Sequence, residues 1–366
     1  MMSRHYVLAA GGTGGHMIPA HALAEELLAR GHRVALITDD RGARIPGLFD
    51  SAQVHILPAG RLAGGPVGWL KAVRAIHTGR AMALRLYETF LPSAVIGFGG
   101  YPAFPPLVAA RLRRIPTILH EQNAVLGRAN RMLAPQVSAI ATSFEHTKYL
   151  EGAALARARM TGNPVRDQVV GWATQNYRPP NRDGPFCLLV FGGSQGARFF
   201  ADAVPAALAH LPPEVRTGLF VVQQCREEDL QRVERAYDRA GVRAHLAAFF
   251  PNLPEEMARA HLVLARSGAS TVAELTVMGR PSILVPLPHA VDNDQLQNAT
   301  RLAEFGAAWC MPQAELTPER LSETVSRLWT SPQALTDAAA AAKRQGRPDA
   351  VVRLADLVEE IAGGRS

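Results

Sequence analysis

The chain has 366 residues, 48% of them hydrophobic, which is enough for two α/β domains with ordinary cores. Its three cysteines, Cys187, Cys225 and Cys310, are far apart, so neither a disulfide framework nor a zinc site is indicated and a reducing cytoplasm fits best. No apolar run approaches the ~18 residues of a membrane-spanning helix.

The net charge of +7 is unevenly distributed. Residues 1–165 carry 18 Lys and Arg against 9 Asp and Glu, whereas residues 166–366 carry 21 against 23. The basic half lacks a recognisable nucleic-acid module, so we interpret it as suited to an anionic surface such as a membrane leaflet rather than to nucleic acid.

The first predicted strand, residues 6–10, leads into a glycine-rich loop, residues 11–16 (GGTGGH), and then into an amphipathic helical stretch, residues 20–30. This order directs backbone N–H groups and a helix N-terminus at one point, as in phosphate sites. The loop has Met17 where G-x-G-x-x-G needs its third glycine, and it lacks the P-loop lysine, which disfavours a nicotinamide or ATPase site. The alternative is a tight turn that needs glycine only for positive φ.

His16 opens the predicted helix. The positive end of a helix disfavours imidazolium, so we expect His16 to be neutral and able to accept a proton. The alternative is a histidine that only hydrogen-bonds the turn.

Residues 67–85 join apolar residues at helical spacing to four cations. The pattern predicts an amphipathic helix, which either lies on an anionic leaflet or packs on the core with a solvated basic face.

Further strands are predicted at 34–38, 94–98 and 117–120. The loops GFGGY (97–101) and HEQN (120–123) therefore lie at the carboxyl edge of the first sheet, where open α/β sheets bind ligands. Their polar residues either bind a ligand or form a satisfied loop network. The segment GNPVR ends the first domain with Arg166, which faces a diphosphate or is merely solvated.

The second half repeats this alternation of predicted strands and helices after a turn-rich stretch, residues 171–185. A strand at 186–191 precedes the loop GGSQG, in which Ser194 and Gln195 are candidate phosphate donors. Strands at 218–222, 261–265 and 282–285 follow. Glu274, in the helix after RSGA, is placed either to accept hydrogen bonds from ribose hydroxyls or to complement the helix dipole. Alternating strands and helices predict two doubly wound parallel sheets.

Taken in order, seven motifs resemble the MurG family, the glycosyltransferases that add N-acetylglucosamine to undecaprenyl-diphosphate-linked muramyl pentapeptide. They are GGTGGH, GGYP, HEQN, GNPVR, GGSQGAR, RSGA with TVAE, and residues 292–298. The resemblance implies an α/β protein of GT-B type, with two Rossmann-like domains facing across a cleft. It assigns residues 1–165 to the acceptor and membrane, residues 166–349 to UDP-GlcNAc, and has the C-terminal helix, residues 350–363, pack back on the first domain.

The resemblance also assigns roles to residues. His16 is the candidate base and Arg166 stabilises the leaving group. The implied UDP-GlcNAc contacts are Thr13, Gly14, Gly15, Asn123, Arg166, Ser194, Gln195, Phe250, Ala269, Glu274 and Gln295. The implied acceptor side comprises Gly12, His16, Tyr101 and Glu121. We expect no metal and no cofactor.

The implied reaction is an inverting transfer to the muramyl 4-hydroxyl of lipid I, which gives lipid II for peptidoglycan. The lipid acceptor implies peripheral binding to the cytoplasmic face of the bacterial inner membrane, with cell-wall synthesis proteins as further partners. The alternatives are another GT-B transferase with a different lipid acceptor, and a non-catalytic nucleotide-sugar-binding module.

Overall fold

The computed structural model describes residues 3–12, 14–45, 49, 52–57, 66–181 and 184–364, and only the backbone of residues 66–72, 194–197 and 291. The chain divides into two compact units. The first comprises residues 1–166 and 347–366, and the second residues 167–346. Each unit is built on one sheet, which confirms the predicted fold class of two parallel-sheet α/β units.

The first unit has seven parallel strands in the order β3-β2-β1-β4-β5-β6-β7. The strands are β1 His5–Ala9, β2 Arg33–Thr38, β3 Gln53–Ile56, β4 Ala94–Gly97, β5 Thr117–Glu121, β6 Ala139–Thr142 and β7 Ala158–Met160. Its helices are α1 Gly14–Ala29, α2 Pro66–Phe90, α3 Phe104–Leu112, α4 Arg128–Leu133, α5 Gly152–Ala156 and, from the end of the chain, α15 Ala350–Gly363.

The inner strand β1 shows that the sheet is covered on both faces. Val7 pairs in register with Ala35 of β2 and Val95 of β4. Alternate residues of these strands enter two different cores, so nearly every position is apolar. Leu354 and Val358 of α15 complete one of these cores, and burying two such side chains contributes about 3–6 kcal/mol.

The second unit has six parallel strands in the order β10-β9-β8-β11-β12-β13. The strands are β8 Phe186–Phe191, β9 Leu219–Gln224, β10 Arg243–Ala247, β11 Leu262–Ala265, β12 Ser282–Leu284 and β13 Ala308–Cys310. The helices are α6 Asp167–Trp172, α7 Gly193–Ala209, α8 Pro213–Gly218, α9 Leu230–Ala240, α10 Leu253–Arg259, α11 Ala269–Met278, α12 Asp294–Glu304, α13 Pro318–Trp329 and α14 Pro332–Gln345.

Both strand orders reverse direction beside the first strand of the unit, between β1 and β4 and between β8 and β11. In doubly wound sheets the carboxyl edge at such a reversal is the place where ligands bind. The two predicted glycine-rich loops follow β1 and β8, so each lies at the reversal of its own sheet.

Candidate active site

The first glycine-rich loop joins β1 to α1. Gly12 has a φ of +86°, a left-handed conformation that favours glycine, and Gly14 and Gly15 form the first residues of α1. A Cβ atom on Gly11 would lie 2.5 Å from a side-chain carbon of Pro102. Thr13 lies outside the described residues.

Asp39, directly after β2, holds this loop in place and was not among the residues predicted from the sequence. Its Oδ1 accepts from the backbone N–H groups of Gly12 (3.0 Å) and Gly42 (2.9 Å), and Arg41 donates to Oδ2. Burial alone would raise the pKa of Asp39, but these donors outweigh it and lower the pKa. An acid directly after the second strand of a doubly wound sheet is the signal that could have revealed it.

His16 lies in the first turn of α1, against the loop after β4. Its Nδ1 is 3.1 Å from the carbonyl oxygen of Gly11. Because a carbonyl only accepts, Nδ1 carries a proton, and Nε2 is the nitrogen that can accept a proton when the ring is neutral. A Cβ atom on Gly99 or Gly100 would approach a ring nitrogen of His16 within 3.4 Å, so both glycines leave room for the imidazole.

The HEQN segment ties the neighbouring loops together. His120 is fully buried, and its Nε2 donates to the carbonyl of Gly162 (3.0 Å), while Gln122 donates to its Nδ1 (3.0 Å) and to the carbonyl of Phe98 (3.0 Å). Burial lowers the pKa of His120 to about 4, so the ring is neutral. The HEQN segment thereby connects the loop after β5 to the loops after β4 and β7.

Glu121, predicted to lie on the acceptor side, is buried and supports this loop. It is 2% exposed, and one carboxylate oxygen accepts from the backbone N–H of Asn123 (3.0 Å) and the other from that of Gly127 (2.9 Å). The side-chain amides of Asn123 (3.3 Å) and Asn130 (2.8 Å) also donate to it. Burial raises its pKa although all four donors oppose the rise. These bonds make Glu121 a residue that positions Asn123, and its place on the acceptor side stays a prediction.

Two other predicted residues lie on loops of this unit. Tyr101 starts a short 3₁₀ turn after Gly100, and burial raises the pKa of its hydroxyl. Arg166 is half-buried at the end of the GNPVR segment. The buried amide of Asn163, three residues earlier, has no hydrogen-bond partner among the described residues.

In the second unit, two helices begin at the carboxyl edge of the sheet with glycine at their starts. Gly193 has a φ of +65° and begins α7, whose first turn contains Ser194 and Gln195; the side chains of these two residues lie outside the described part. Gly268 precedes Ala269, the first residue of α11. Free N–H groups at helix starts suit phosphate oxygens. Glu274 lies further along α11 and is 4% exposed.

Gln295 lies in the first turn of α12, next to a segment of unusual backbone. His289, Asp292 and Asn293 all have φ between +54° and +59°, a conformation that non-glycine residues rarely adopt. The Oε1 of Gln295 accepts from the backbone N–H of Leu287 (3.0 Å), which leaves its amide N–H groups oriented by that bond.

Arg266, the residue directly after β11, was missed as a positioning residue. Its guanidinium donates to the carbonyls of Val285 (3.2 Å) and Pro286 (3.1 Å) and to Oε1 of Gln313 (2.6 Å). Burial lowers its pKa to about 10. These bonds fix the chain between β12 and α12, and only the sequence motif RSGA could have indicated them.

Phe250 follows β10 and is buried, and its ring lies edge-on to that of His245, with 5.4 Å between the ring centroids. The adjacent Phe249 is 73% exposed.

The described side chains include no group of three His, Cys, Asp or Glu residues that could hold a metal ion. Within the described residues, no helix is both long and apolar enough to cross a membrane.

Comparisons with known proteins agree with this arrangement. The glycosyltransferase family 28 N-terminal domain matches residues 6–142, and the family 28 C-terminal domain matches residues 187–354. The fold and the two glycine-rich loops thus define a GT-B glycosyltransferase.

Relatives narrow the class. A protein of Zymomonas mobilis is 50% identical over 99% of this chain and 93% of its own length. A protein of Novosphingobium aromaticivorans is 51% identical over 98% of this chain and 93% of its own length. Both are named UDP-N-acetylglucosamine–N-acetylmuramyl-(pentapeptide) pyrophosphoryl-undecaprenol N-acetylglucosamine transferase. The crystal structure of Acinetobacter baumannii MurG matches with a TM-score of 0.78 and 29% identity, covering 98% of this chain and 99% of that one. The chain belongs to the MurG family of UDP-GlcNAc-dependent transferases.

Proposed function

We propose that the protein transfers N-acetylglucosamine from UDP-GlcNAc to the muramyl 4-hydroxyl of undecaprenyl-diphosphate-linked N-acetylmuramyl pentapeptide, which gives lipid II for peptidoglycan. The observation that carries this function is the identity of about half of all positions, over nearly the full chain, to relatives named for that reaction. This identity disfavours the alternative of another lipid acceptor.

In our proposal the second unit holds the donor. The N-termini of α7 and α11, near Ser194 and Ala269, offer backbone N–H groups to the diphosphate. Glu274 accepts hydrogen bonds from the ribose hydroxyls, and Gln295 forms hydrogen bonds with the sugar hydroxyls. The chain near Phe250 contacts uracil. Arg166 offsets the charge that develops on UDP as the glycosidic bond breaks.

In the first unit we propose that His16 acts on the acceptor. Its Nδ1–H is held by Gly11, so Nε2 can take the proton of the attacking hydroxyl as the bond to the anomeric carbon forms and the bond to UDP breaks. Gly12 and Tyr101 line the approach of the acceptor, Gly14 and Gly15 contact UDP-GlcNAc, and Asn123, held by Glu121, reaches the donor sugar. Thr13 is assigned the same role from the motif alone.

The decisive assay incubates the full chain with labelled UDP-GlcNAc and a short-chain lipid I analogue in detergent with EDTA. We expect label in the lipid product. In the His16→Gln variant we expect kcat to fall by about 10²- to 10⁴-fold with the donor KM little changed. The matched control is His210→Gln, since His210 is exposed just past the far end of α7, about 25 Å from that helix's start. Donor binding without transfer would contradict the acceptor assignment, and a His16→Gln variant with normal kcat would remove the base role.

We further propose that α2 places the protein on the cytoplasmic face of the inner membrane. One face of the helix exposes Arg74, His77 and Arg85 beside Val73 and Met82, and this face is directed away from the core. Basic residues at an anionic leaflet contribute about 1 kcal/mol each, so Arg74→Gln with Arg85→Gln should weaken binding to phosphatidylglycerol vesicles by about thirtyfold. The control pair Arg235→Gln with Arg239→Gln, on exposed positions of α9, should bind like the wild type. Equal binding by both variants would contradict this surface.

A further inference from the structure

A small basic cavity lies in the second unit at the amino ends of β11 and β12. Its volume is about 290 Å³, and its lining includes Asn176, Arg178, Arg259, His261 and Arg280. His261 directly precedes β11, and Arg280 lies two residues before β12. The glycine-rich loop and the starts of α11 and α12 lie at the opposite, carboxyl edge of the same sheet, so this cavity is separate from the proposed donor site.

Arg280 is the unusual member of the lining. It is 2% exposed, and both its Nε and its Nη2 are buried without a hydrogen-bond partner. The structure gives it no carboxylate among the described residues, only the ring of Tyr177 at 5.8 Å from its guanidinium carbon. A buried guanidinium without an acceptor costs several kcal/mol, so such a group normally has a partner.

The neighbouring donors face the same cavity. The Nδ1 of His261 accepts from the backbone N–H of Cys187 (2.9 Å), so the proton of the neutral ring is on Nε2. Arg178 is exposed at the rim. Arg259 is paired with Glu255 at 2.5 Å and adds little net charge. Burial, and then the charge of Arg280, lower the pKa of both His261 and Lys343.

We propose that this cavity is an anion-binding site for a phosphate group, held by Arg280, Arg178 and the Nε2–H of His261. Two guanidinium groups, an imidazole N–H and the amide of Asn176 together offer more donors than the two oxygens of a carboxylate can accept. A tetrahedral phosphate, with its three or four oxygens, matches them. The site is independent of the proposed transfer reaction, because none of these residues belongs to the glycine-rich loops or to the starts of α7, α11 and α12.

The test titrates inorganic phosphate into the full chain at constant ionic strength, set with chloride, and measures the unfolding temperature. We expect a rise of a few degrees that saturates with phosphate, as for any ligand that binds only the folded state. Arg280→Met should weaken the apparent phosphate affinity at least tenfold, yet unfold in chloride no earlier than the wild type, because it removes an uncompensated buried charge.

Arg178→Gln changes an exposed side chain, so it keeps the test informative should Arg280→Met fail to fold. It should weaken phosphate binding about three- to tenfold. The control Arg320→Gln, at an exposed position of α13, should leave phosphate binding unchanged. A wild type with no saturable response, or a response that both Arg280→Met and Arg178→Gln retain in full, would overturn the proposal, the second result placing the phosphate elsewhere on the protein.

Discussion

Replacing Glu121 with glutamine tests whether this buried carboxylate holds the loop that carries Asn123. The substitution keeps the shape of the side chain but turns one acceptor oxygen into an NH₂ group. Each oxygen of Glu121 now accepts two N–H groups, from Asn123 on one side and from Gly127 and Asn130 on the other. Whichever way the amide is oriented, two donors face a donor.

The magnitude follows from these four bonds. Each buried donor left without an acceptor costs about 1–3 kcal/mol, so two of them predict a loss of about 2–6 kcal/mol in the free energy of unfolding. Local adjustment of the exposed side of the loop favours the lower part of this range, about 2–4 kcal/mol. A shift of 2.8 kcal/mol corresponds to about a hundredfold change in the folding equilibrium.

Urea unfolding of Glu121→Gln and of the control Glu145→Gln measures this directly. Glu145 is exposed on the loop after β6, and its substitution should change the free energy by at most about 0.5 kcal/mol. In conditions where both variants are folded, kcat/KM for UDP-GlcNAc should fall for Glu121→Gln only, because Asn123 is displaced. Equal midpoints and equal kcat/KM for the two variants would refute the positioning role.

Three further outcomes are expected. The pKa of Asp39 is lowered in the folded state, so the carboxylate stabilises the fold above its unfolded pKa, and this stabilisation is lost as the pH falls through its folded pKa. Asp39→Asn should therefore make the free energy of unfolding less dependent on pH in acid, whereas Asp40→Asn, at an exposed position, should not. Glu359 accepts from His32 (2.7 Å) and Arg30 (2.6 Å), so Glu359→Gln should destabilise the first unit by about 1–3 kcal/mol in urea, and an unchanged midpoint would contradict this. Arg266→Lys should raise the KM for UDP-GlcNAc more than it lowers kcat, since lysine cannot donate to three acceptors in the same plane. Steady-state kinetics with unchanged KM and kcat would contradict this.

The two-sheet architecture was predictable because parallel strands buried on both faces leave near-continuous apolar runs, such as residues 186–191. Boundaries were less accurate. The first helix was predicted to open at His16, with amphipathic spacing from residue 20, but it begins at Gly14, where glycines carry no such pattern. Likewise, the turn-rich stretch predicted from residue 171 begins only after α6 ends at Trp172.

The site was predictable as a set of loops but not as a network. Loops after parallel strands meet at one edge, so the sequence could group His16 with the segments around Tyr101 and Asn123. It could not show that Glu121 faces inward, because an acid at the end of a strand looks the same whether it meets a ligand or four N–H groups. The contact of Asp39 with Gly12 spans 27 residues and leaves no periodic signal.

The position of α15 has a consequence for how the protein is made. The first unit starts before the second in the sequence, yet the face of its core filled by Leu354 and Val358 comes from a segment that is synthesised after the whole second unit. All of residues 167–346 must be synthesised in between, which takes roughly 9–36 seconds at about 5–20 residues per second. Throughout that interval the nascent first unit carries an uncovered apolar face, while the second unit can fold as one uninterrupted stretch, so chaperones that shield apolar surface have most to protect in the half of the chain that emerges first.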